Sequence, residues 1–234
     1  MSIIAIITAR GGSKRFPKKN IREFMGKPMI AYAIQAAKDA GFFDEIMVST
    51  DDDEIAEIAK KYGASVPFMR SSKTADDFAG TEDVLLEVIH EYQKSGIFFD
   101  KICCIYPCVP FLTASTLKKA YNHFVMHQEA ESLMPAVKYS FPIQRAVYLN
   151  SDGFIVYREP ENAEKRSQDL DLTYHDVGMF YFIHTDALLK YKNVITPKTI
   201  LFEMDEMNVQ DIDTFDDWKT AELKYKIINM QKEK

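Results

Sequence analysis

Ile3-Ile4-Ala5-Ile6-Ile7-Thr8-Ala9-Arg10-Gly11-Gly12-Ser13-Lys14-Arg15-Phe16-Pro17-Lys18-Lys19-Asn20 passes from an apolar run straight into a glycine-broken basic loop. The run 3–7 has the unbroken apolarity of a strand buried on both faces, as in a parallel sheet. The loop from Thr8 to Asn20 carries five cations in a chain whose formal net charge is −6, so its basic charge is concentrated rather than spread. Gly11 and Gly12 open backbone conformations and remove side chains, letting main-chain N–H groups face an anion. Arg10, Lys14, Lys18 and Lys19 then neutralise it. A strand that ends in such a loop and runs on to a helix has the layout of a nucleotide phosphate site. The spacing of neither the P-loop nor the dinucleotide glycine fingerprint is present, so neither mechanism transfers. A solvated basic loop is the plain alternative.

The 234 residues suit one α/β domain over 1–234, with room for an inserted lobe. No apolar stretch approaches the roughly 20 residues that span a bilayer, and no leader cleavage site follows the N-terminus, so the expectation is a cytoplasmic protein without a membrane. Cys103, Cys104 and Cys108 match no paired zinc-ligand spacing and read as buried free thiols. The acidic balance argues against a nucleic-acid partner, which needs a wide basic surface.

Downstream, 28–37 has apolar positions at helical spacing and Gly41 stops it; 45–49 reads as a strand; Asp52 or Asp53 caps a helix that runs to Tyr62 and stops at Gly63. Strand, helix, strand, helix is the start of a doubly wound, mostly parallel sheet. The pattern adds a third short strand at 65–69, a polar segment over 70–81, a helix over 82–92 and a strand over 101–106. Tyr106 then falls beyond the carboxyl end of a strand, where open sheets meet ligands, or it simply packs. A helix over 113–127 and a strand over 132–137 follow. From 139 to 173 the rhythm changes: 146–149 and 154–157 flank Asn150-Ser151-Asp152-Gly153 as a hairpin. Such a two-stranded unit is marginal alone, so this inserted lobe should pack on the parent domain or on a second subunit. Strands at 178–184 and 200–203 and a last helix from Thr214 complete the chain.

Asp211-Ile212-Asp213-Thr214 places two carboxylates two residues apart, on one face of an extended segment, a donor pair for a hard cation such as Mg²⁺. Alternatively Asp213 or Thr214 caps the last helix and Asp211 is solvated. Glu164-Lys165-Arg166-Ser167-Gln168-Asp169 and the pair His175-Asp176 could read a carboxylate and hydroxyls, Arg166 being the natural bidentate partner for a carboxylate, or they form a polar loop with a salt bridge. His90, His123 and His127 fall on helices, with no further ligand to complete a metal set. No hydrolase elbow or zinc-protease motif occurs. What remains is chemistry by positioning and charge neutralisation, as in phosphoryl and nucleotidyl transfer.

Four motifs in register carry a resemblance over nearly the whole chain: Ala9-Arg10-Gly11-Gly12-Ser13-Lys14 with Pro17-Lys18-Lys19-Asn20, Val48-Ser49-Thr50-Asp51, Tyr106-Pro107 with Pro110, and Asp211-Ile212-Asp213-Thr214. On these the sequence resembles the CMP-sialic acid synthetase family of cytidylyltransferases, which couple CTP to a 3-deoxy ulosonic acid. Tyr106-Pro107-Cys108-Val109-Pro110 departs from the Gln-Pro-Thr-Ser-Pro of the N-acetylneuraminate enzymes. With 142–146, 165–170 and 174–178 it looks like the branch that uses pseudaminic acid. Sister acids (N-acetylneuraminic, legionaminic, Kdo-type) and a non-catalytic nucleotide-binding protein are the alternatives. The resemblance implies a Rossmann-like nucleotidyltransferase fold with a β-containing dimerisation lobe, and a Mg²⁺-dependent attack of the anomeric hydroxyl on the α-phosphate of CTP. It implies that Arg10, Gly11, Ser13, Lys14 and Lys19 hold the triphosphate, Asn20 meets the nucleotide and Arg70 lies near cytosine. It makes Arg10, Lys14, Lys19 and Asp211 the catalytic set and puts the metal on Asp211 and Asp213. Tyr106, Gln144, Arg145, Arg166, Gln168, His175 and Tyr181 are the implied sugar-side residues, in a homodimer whose lobe reaches the partner's site.

Overall fold

The apolar run expected as a doubly buried strand is β1 (Ile3–Thr8), and its pleat feeds two cores. Ile3, Ala5 and Ile7 enter one cluster, while Ile4 and Ile6 enter the other. The computed structural model describes residues 2–12, 16–76 and 78–232. In chain order, β1 is followed by the two-residue strands β2 (Glu23–Phe24) and β3 (Lys27–Pro28), helix α1 (Ile30–Ala40), β4 (Glu45–Ser49) and α2 (Asp53–Tyr62). Then come the single turn α3 (Ser72–Ala75), α4 (Thr81–Lys94), β5 (Lys101–Ile105), α5 (Ala114–Met126) and β6 (Ser132–Lys138). The hairpin strands β7 (Val147–Leu149) and β8 (Ile155–Tyr157) precede β9 (Tyr174–Asp176), β10 (Phe180–His184), α6 (Thr185–Tyr191), β11 (Thr199–Glu203) and α7 (Phe215–Lys232).

The main sheet has the order β11-β6-β10-β5-β1-β4, with β9 paired to β6. β1 is parallel to both β4 and β5, and β11 to β6, whereas β10 runs antiparallel to β5 and β6. Five strands therefore share one direction, and the sheet is mostly parallel, as expected. α1, α2 and α5 cover one face through Ile34, Ala37, Ile55, Leu117 and Ala120. α4 and α6 cover the other through Leu85, Val88, Ile89 and Leu188. Gly41 and Gly63 end α1 and α2 in the left-handed region, at φ 68° and 93°, where a β-carbon is disfavoured.

The third strand expected at 65–69 does not form: only Ser65 bridges to Met47. Pro67 lacks the N–H that a continued ladder would need, and the chain leaves the sheet edge there. β9 is an addition that the sequence pattern missed, since its three residues are half-exposed and offer no apolar alternation.

β4 and β5 lie on opposite sides of β1. The connections leaving β1 and β5 thus diverge, opening a crevice at the strands' carboxyl ends. The basic loop after β1 and the Tyr106-Pro107 segment after β5 both enter it.

A third cluster fixes α7 over this end of the sheet. Trp218 takes the rings of Phe16 and Phe24 edge-on at 5.1 and 5.2 Å, and Tyr225 packs on Phe24 and Tyr32. Ile212 and Ala221 fill the remainder. Within 139–173 the β7–β8 hairpin closes as expected at Gly153, φ 83°, with Asn150 Oδ1 accepting from the N–H groups of Asp152 and Phe154. Among the described residues it pairs with no other strand, and it leaves Val147, Leu149, Phe154 and Ile155 in solvent. No described helix is long and apolar enough to cross a membrane.

Candidate active site

Two clefts adjoin at the carboxyl end of the sheet. The first, about 520 Å³, is walled by Arg10, Lys19 and Asn20 from the loop after β1, Arg70, Thr74 and Asp76 from the segment before α4, and Thr81, Tyr106 and Asp213. The second, about 470 Å³, is walled by Tyr106, His175, Asp176, Gly178, Tyr181 and Asp211. Tyr106 belongs to both. Asp213 faces one cleft and Asp211 the other, so the acidic pair straddles their junction.

The alternation read from the sequence is what sets this pair in place. Ile212 points inward, 1% exposed, and is gripped by the aromatic cluster under α7. Its neighbours on either side are thereby turned towards solvent. Of the two caps open to the last helix, Thr214 takes the role: Asp217 N–H bonds to Thr214 Oγ1, and Asp217 Oδ2 accepts from the Thr214 and Asp213 N–H groups. This frees the Asp213 carboxylate for Lys19, whose Nζ lies 3.1 Å from Asp213 Oδ1 and also donates to the Ile212 carbonyl. Burial and the charge of Asp213 push the Asp211 carboxyl above its ordinary value.

The basic loop is tied down at three points. Gly11 N–H donates to Asp51 Oδ1 at 2.9 Å, and Asn20 Nδ2 to the Arg10 carbonyl at 2.9 Å. Cys108, one residue beyond Pro107, gives its S–H to Asn20 Oδ1 at 3.3 Å. The expectation for the two glycines changes here. Neither Gly11 nor Gly12 has a positive φ, and the Gly11 N–H is taken by a carboxylate instead of facing the cleft. Gly11 is required by close approach: a Cβ there would lie 2.8 Å from Asp52 Oδ2. Asn20, expected against nucleotide, lines the first cleft, with its amide also donating to the Arg10 carbonyl and accepting from Cys108. Ser13 and Lys14 lie outside the described residues.

Arg70 is 8% exposed and clamps the end of β4, with Nε on Ser49 Oγ at 3.0 Å and Nη2 on the Ser49 carbonyl at 2.6 Å. Burial lowers its pKa, partly offset by Asp51 and Glu87. Arg10 reaches across the cleft mouth to the Asp76 carbonyl at 2.9 Å. The 70–81 segment, polar and aperiodic in sequence, is thus a wall of the cleft, held by Glu87, which accepts from Ser71 and Thr74.

Of the sugar-side candidates, Tyr106, His175 and Tyr181 come together in the second cleft. Tyr106 Oη lies 2.9 Å from Thr81 Oγ1, and its ring meets Tyr181 edge-on at 5.9 Å. Tyr181 donates to Asp176, and burial raises the pKa of both phenols. Gln144, Arg145, Arg166 and Gln168 line neither cleft. They sit on the 139–173 segment, where Gln144 Nε2 donates to the Asp171 carbonyl and Arg145 Nη1 lies 3.5 Å from Ser167 Oγ. Sequence reading passed over Thr81 as a lining group, whereas Asp176, read with His175 as a pair that could meet a carboxylate and hydroxyls, does line the second cleft. Asp176 Oδ1 also accepts the Gly178 N–H, a turn that puts Gly178 at φ 58° beside Tyr106.

Comparison with known proteins places these features in context. A family profile described as "Cytidylyltransferase" matches residues 4–228. The chain is 41% identical over 227 residues to a pseudaminic acid cytidylyltransferase of Campylobacter jejuni, covering 97% of each. It is 33% identical to a CMP-N,N'-diacetyllegionaminic acid synthase of Legionella pneumophila, covering 95% of each. Among solved structures, a CMP:2-keto-3-deoxy-manno-octonic acid synthetase complexed with CTP superimposes with a TM-score of 0.68 at 18% identity, over 95% of this chain and 98% of that one.

Proposed function

The chain belongs to the cytidylyltransferase family, and on that premise we propose that it joins CTP and pseudaminic acid, releasing pyrophosphate and forming CMP-pseudaminic acid. The observation that carries this reading is the pair of adjoining clefts, one walled by cations and one by phenols and His175, meeting at Tyr106 and the Asp211/Asp213 pair. The relative with 97% coverage that carries pseudaminic acid in its name supports the choice of sugar.

In this reading Arg10 and Lys19, with Lys14 from the same loop, neutralise the triphosphate. Asn20 keeps the loop in register through the Arg10 carbonyl. Arg70, already fixed to the end of β4, lies on the base side of the first cleft. Tyr106, His175 and Tyr181 hold the sugar so that its anomeric hydroxyl approaches the α-phosphorus from the second cleft, in line with the departing pyrophosphate.

Asp211 and Asp213 suit Mg²⁺, which takes one or two carboxylates and completes its shell from phosphate oxygens and water. Among the described residues no third His, Cys, Asp or Glu joins them, which leaves substrate phosphates to do so. When bound, the metal supplies charge neutralisation at the phosphates and acidifies a coordinated hydroxyl.

The apolar, solvent-facing β7–β8 hairpin supports a homodimer in which 139–173 is covered by the second subunit. Gln144, Arg145, Arg166 and Gln168 would then serve the partner's second cleft. The test is pyrophosphate release from CTP with a panel of ulosonic acids. The expected result is a preference for pseudaminic acid. Preference for another acid refutes the sugar assignment, and no release with any acid favours a protein that only binds nucleotide.

A further inference from the structure

The described residues of 71–80 include none that is buried, and Phe78 stands 94% exposed in solvent. This wall of the first cleft has no apolar anchor of its own and is held in place by hydrogen bonds. At its start the Arg70 N–H donates to the Thr50 carbonyl at 2.8 Å, and at its end the Gly80 N–H donates to Asp83 Oδ2 at 3.0 Å. Between these ends Glu87 of α4 ties it down. Glu87 Oε1 accepts the Ser71 N–H at 2.7 Å, and Oε2 accepts the hydroxyls of Ser71, at 2.9 Å, and of Thr74. Burial pushes the Glu87 carboxyl up, but these hydrogen bonds and the nearby Arg70 outweigh it and hold the group below its ordinary value. The base of the side chain is rigid, since Leu85, Val88 and Ile89 fasten this turn of α4 under the sheet. Glu87 itself lines neither cleft, whereas Thr74, which it holds, lines the first beside Arg70 and Thr81.

Resting on the cytidylyltransferase reading above, we propose that Glu87 is a positioning residue for base selection: from outside the cleft, through Ser71 and Thr74, it sets the wall that meets the nucleotide's base and so lets the first cleft tell cytosine from uracil. The two bases are alike in shape and differ in polarity along one edge. Cytosine presents an amine donor and a ring-nitrogen acceptor where uracil presents a carbonyl acceptor and an N–H donor. A wall fixed in place leaves the wrong base with like groups face to face and unpaired, whereas a wall free to shift accommodates either. The triphosphate is met by the loop after β1. That loop touches the wall where Arg10 reaches the Asp76 carbonyl, but it is anchored independently at Asp51 and Asn20. Losing Glu87 should therefore erode the choice of base and spare the grip on phosphates.

The test separates base from phosphates by binding and needs no sugar. Calorimetry on the full chain with Mg²⁺ gives affinities for CTP, UTP and inorganic tripolyphosphate, in the wild type and in Glu87→Leu, which keeps the bulk and removes the acceptors. The wild type is expected to prefer CTP to UTP by about tenfold or more. In Glu87→Leu that preference should fall about tenfold, as for lost hydrogen bonds to a charged acceptor, while tripolyphosphate affinity stays within about twofold. A folded Glu87→Leu protein that keeps the wild-type preference overturns the proposal. So does one that loses tripolyphosphate affinity as strongly as CTP affinity, because the defect is then a general loss of structure.

Two further variants separate positioning from bulk packing. Glu87→Gln retains an oxygen for the Ser71 N–H and should recover most of the preference; no recovery counts against the hydrogen bonds as the cause and overturns the proposal. Ser71→Ala, at a residue that lines neither cleft, should lower the preference about threefold in the wild type and no further in Glu87→Leu. Fully additive losses overturn the coupling. Should Glu87→Leu fail to fold, Ser71→Ala decides alone, an unchanged preference overturning the proposal. A wild type that binds CTP and UTP alike removes both this role and the CTP assignment under the proposed function; a wild type that prefers CTP, with Glu87→Leu unchanged, leaves that assignment standing and removes Glu87 alone.

Discussion

Replacing Gly11 by alanine isolates the contact that holds the basic loop against α2. A Cβ at this position would lie 2.8 Å from Asp52 Oδ2 and 2.9 Å from Asp52 Cβ, and the second atom cannot swing aside. Asp52 is itself committed, its Oδ1 accepting the Ile55 N–H at 3.0 Å as the N-cap of α2. Either Asp52 moves and the cap is lost, at about 1 kcal/mol, or the loop moves and the Gly11–Asp51 hydrogen bond is lost, at about 1.5–3 kcal/mol for a charged acceptor. In a chain of this size each kcal/mol is about 2–4 °C in melting temperature, so Gly11→Ala should melt roughly 2–12 °C lower. The strain also displaces Arg10, and on the role proposed for Arg10 at the triphosphate a loss of about 1.4 kcal/mol there would raise KM for CTP about tenfold. Gly12→Ala is the matched control, because nothing lies within 4 Å of a Cβ there. Thermal unfolding and initial rates against CTP concentration read both effects. The reasoning is refuted if Gly11→Ala melts within about 1 °C of the wild type, or if Gly12→Ala loses as much.

Three further outcomes follow from the same geometry. Asparagine at both Asp211 and Asp213 should abolish pyrophosphate release while CTP binding, read by calorimetry, largely survives; near-normal turnover would remove the acidic pair from the chemistry. Trp218→Ala, which empties the centre of the cluster gripping Phe16, Phe24 and Ile212, should cost about 3–5 kcal/mol in guanidinium unfolding and raise KM for CTP, with Trp218→Phe much milder. The Cys108 thiol is pushed up to about 12, chiefly by burial against the opposing pull of Lys19. A raised thiol pKa leaves less thiolate at any lower pH, and Cys103 and Cys104 are fully buried. All three thiols should therefore resist Ellman's reagent at about pH 8 in the native protein and react once it is unfolded; rapid native labelling of one equivalent would contradict the packing around Cys108.

Much of the fold was legible because its signals are local. The doubly apolar run of β1, the glycine stops of α1 and α2, the Asp52 cap and the Asn150–Gly153 turn each depend on residues within a few positions of one another, and each formed as read. The strand expected at 65–69 failed for a reason outside that window. Its apolar character was real, but Ser65 is the only residue to bridge β4 before Pro67 ends the ladder. The reading of Gly11 failed in the same way: glycine was required, but by Asp52 of a different element and not by its own backbone angle.

The sequence by itself determined the strand–loop–helix opening, the concentration of cations between Arg10 and Lys19, and the alternation that turns Asp211 and Asp213 to one side with Ile212 to the other. Tertiary structure alone decided which groups meet. Lys19 finds Asp213 across 194 positions of chain and Cys108 finds Asn20 across 88, while Tyr106 becomes the wall shared by two clefts. The physical reason is that helix periodicity, caps and turns arise between near neighbours. A site of this kind is assembled by sheet order, which brings the ends of β1 and β5 side by side, and by the aromatic packing under α7, which lays the acidic segment over both.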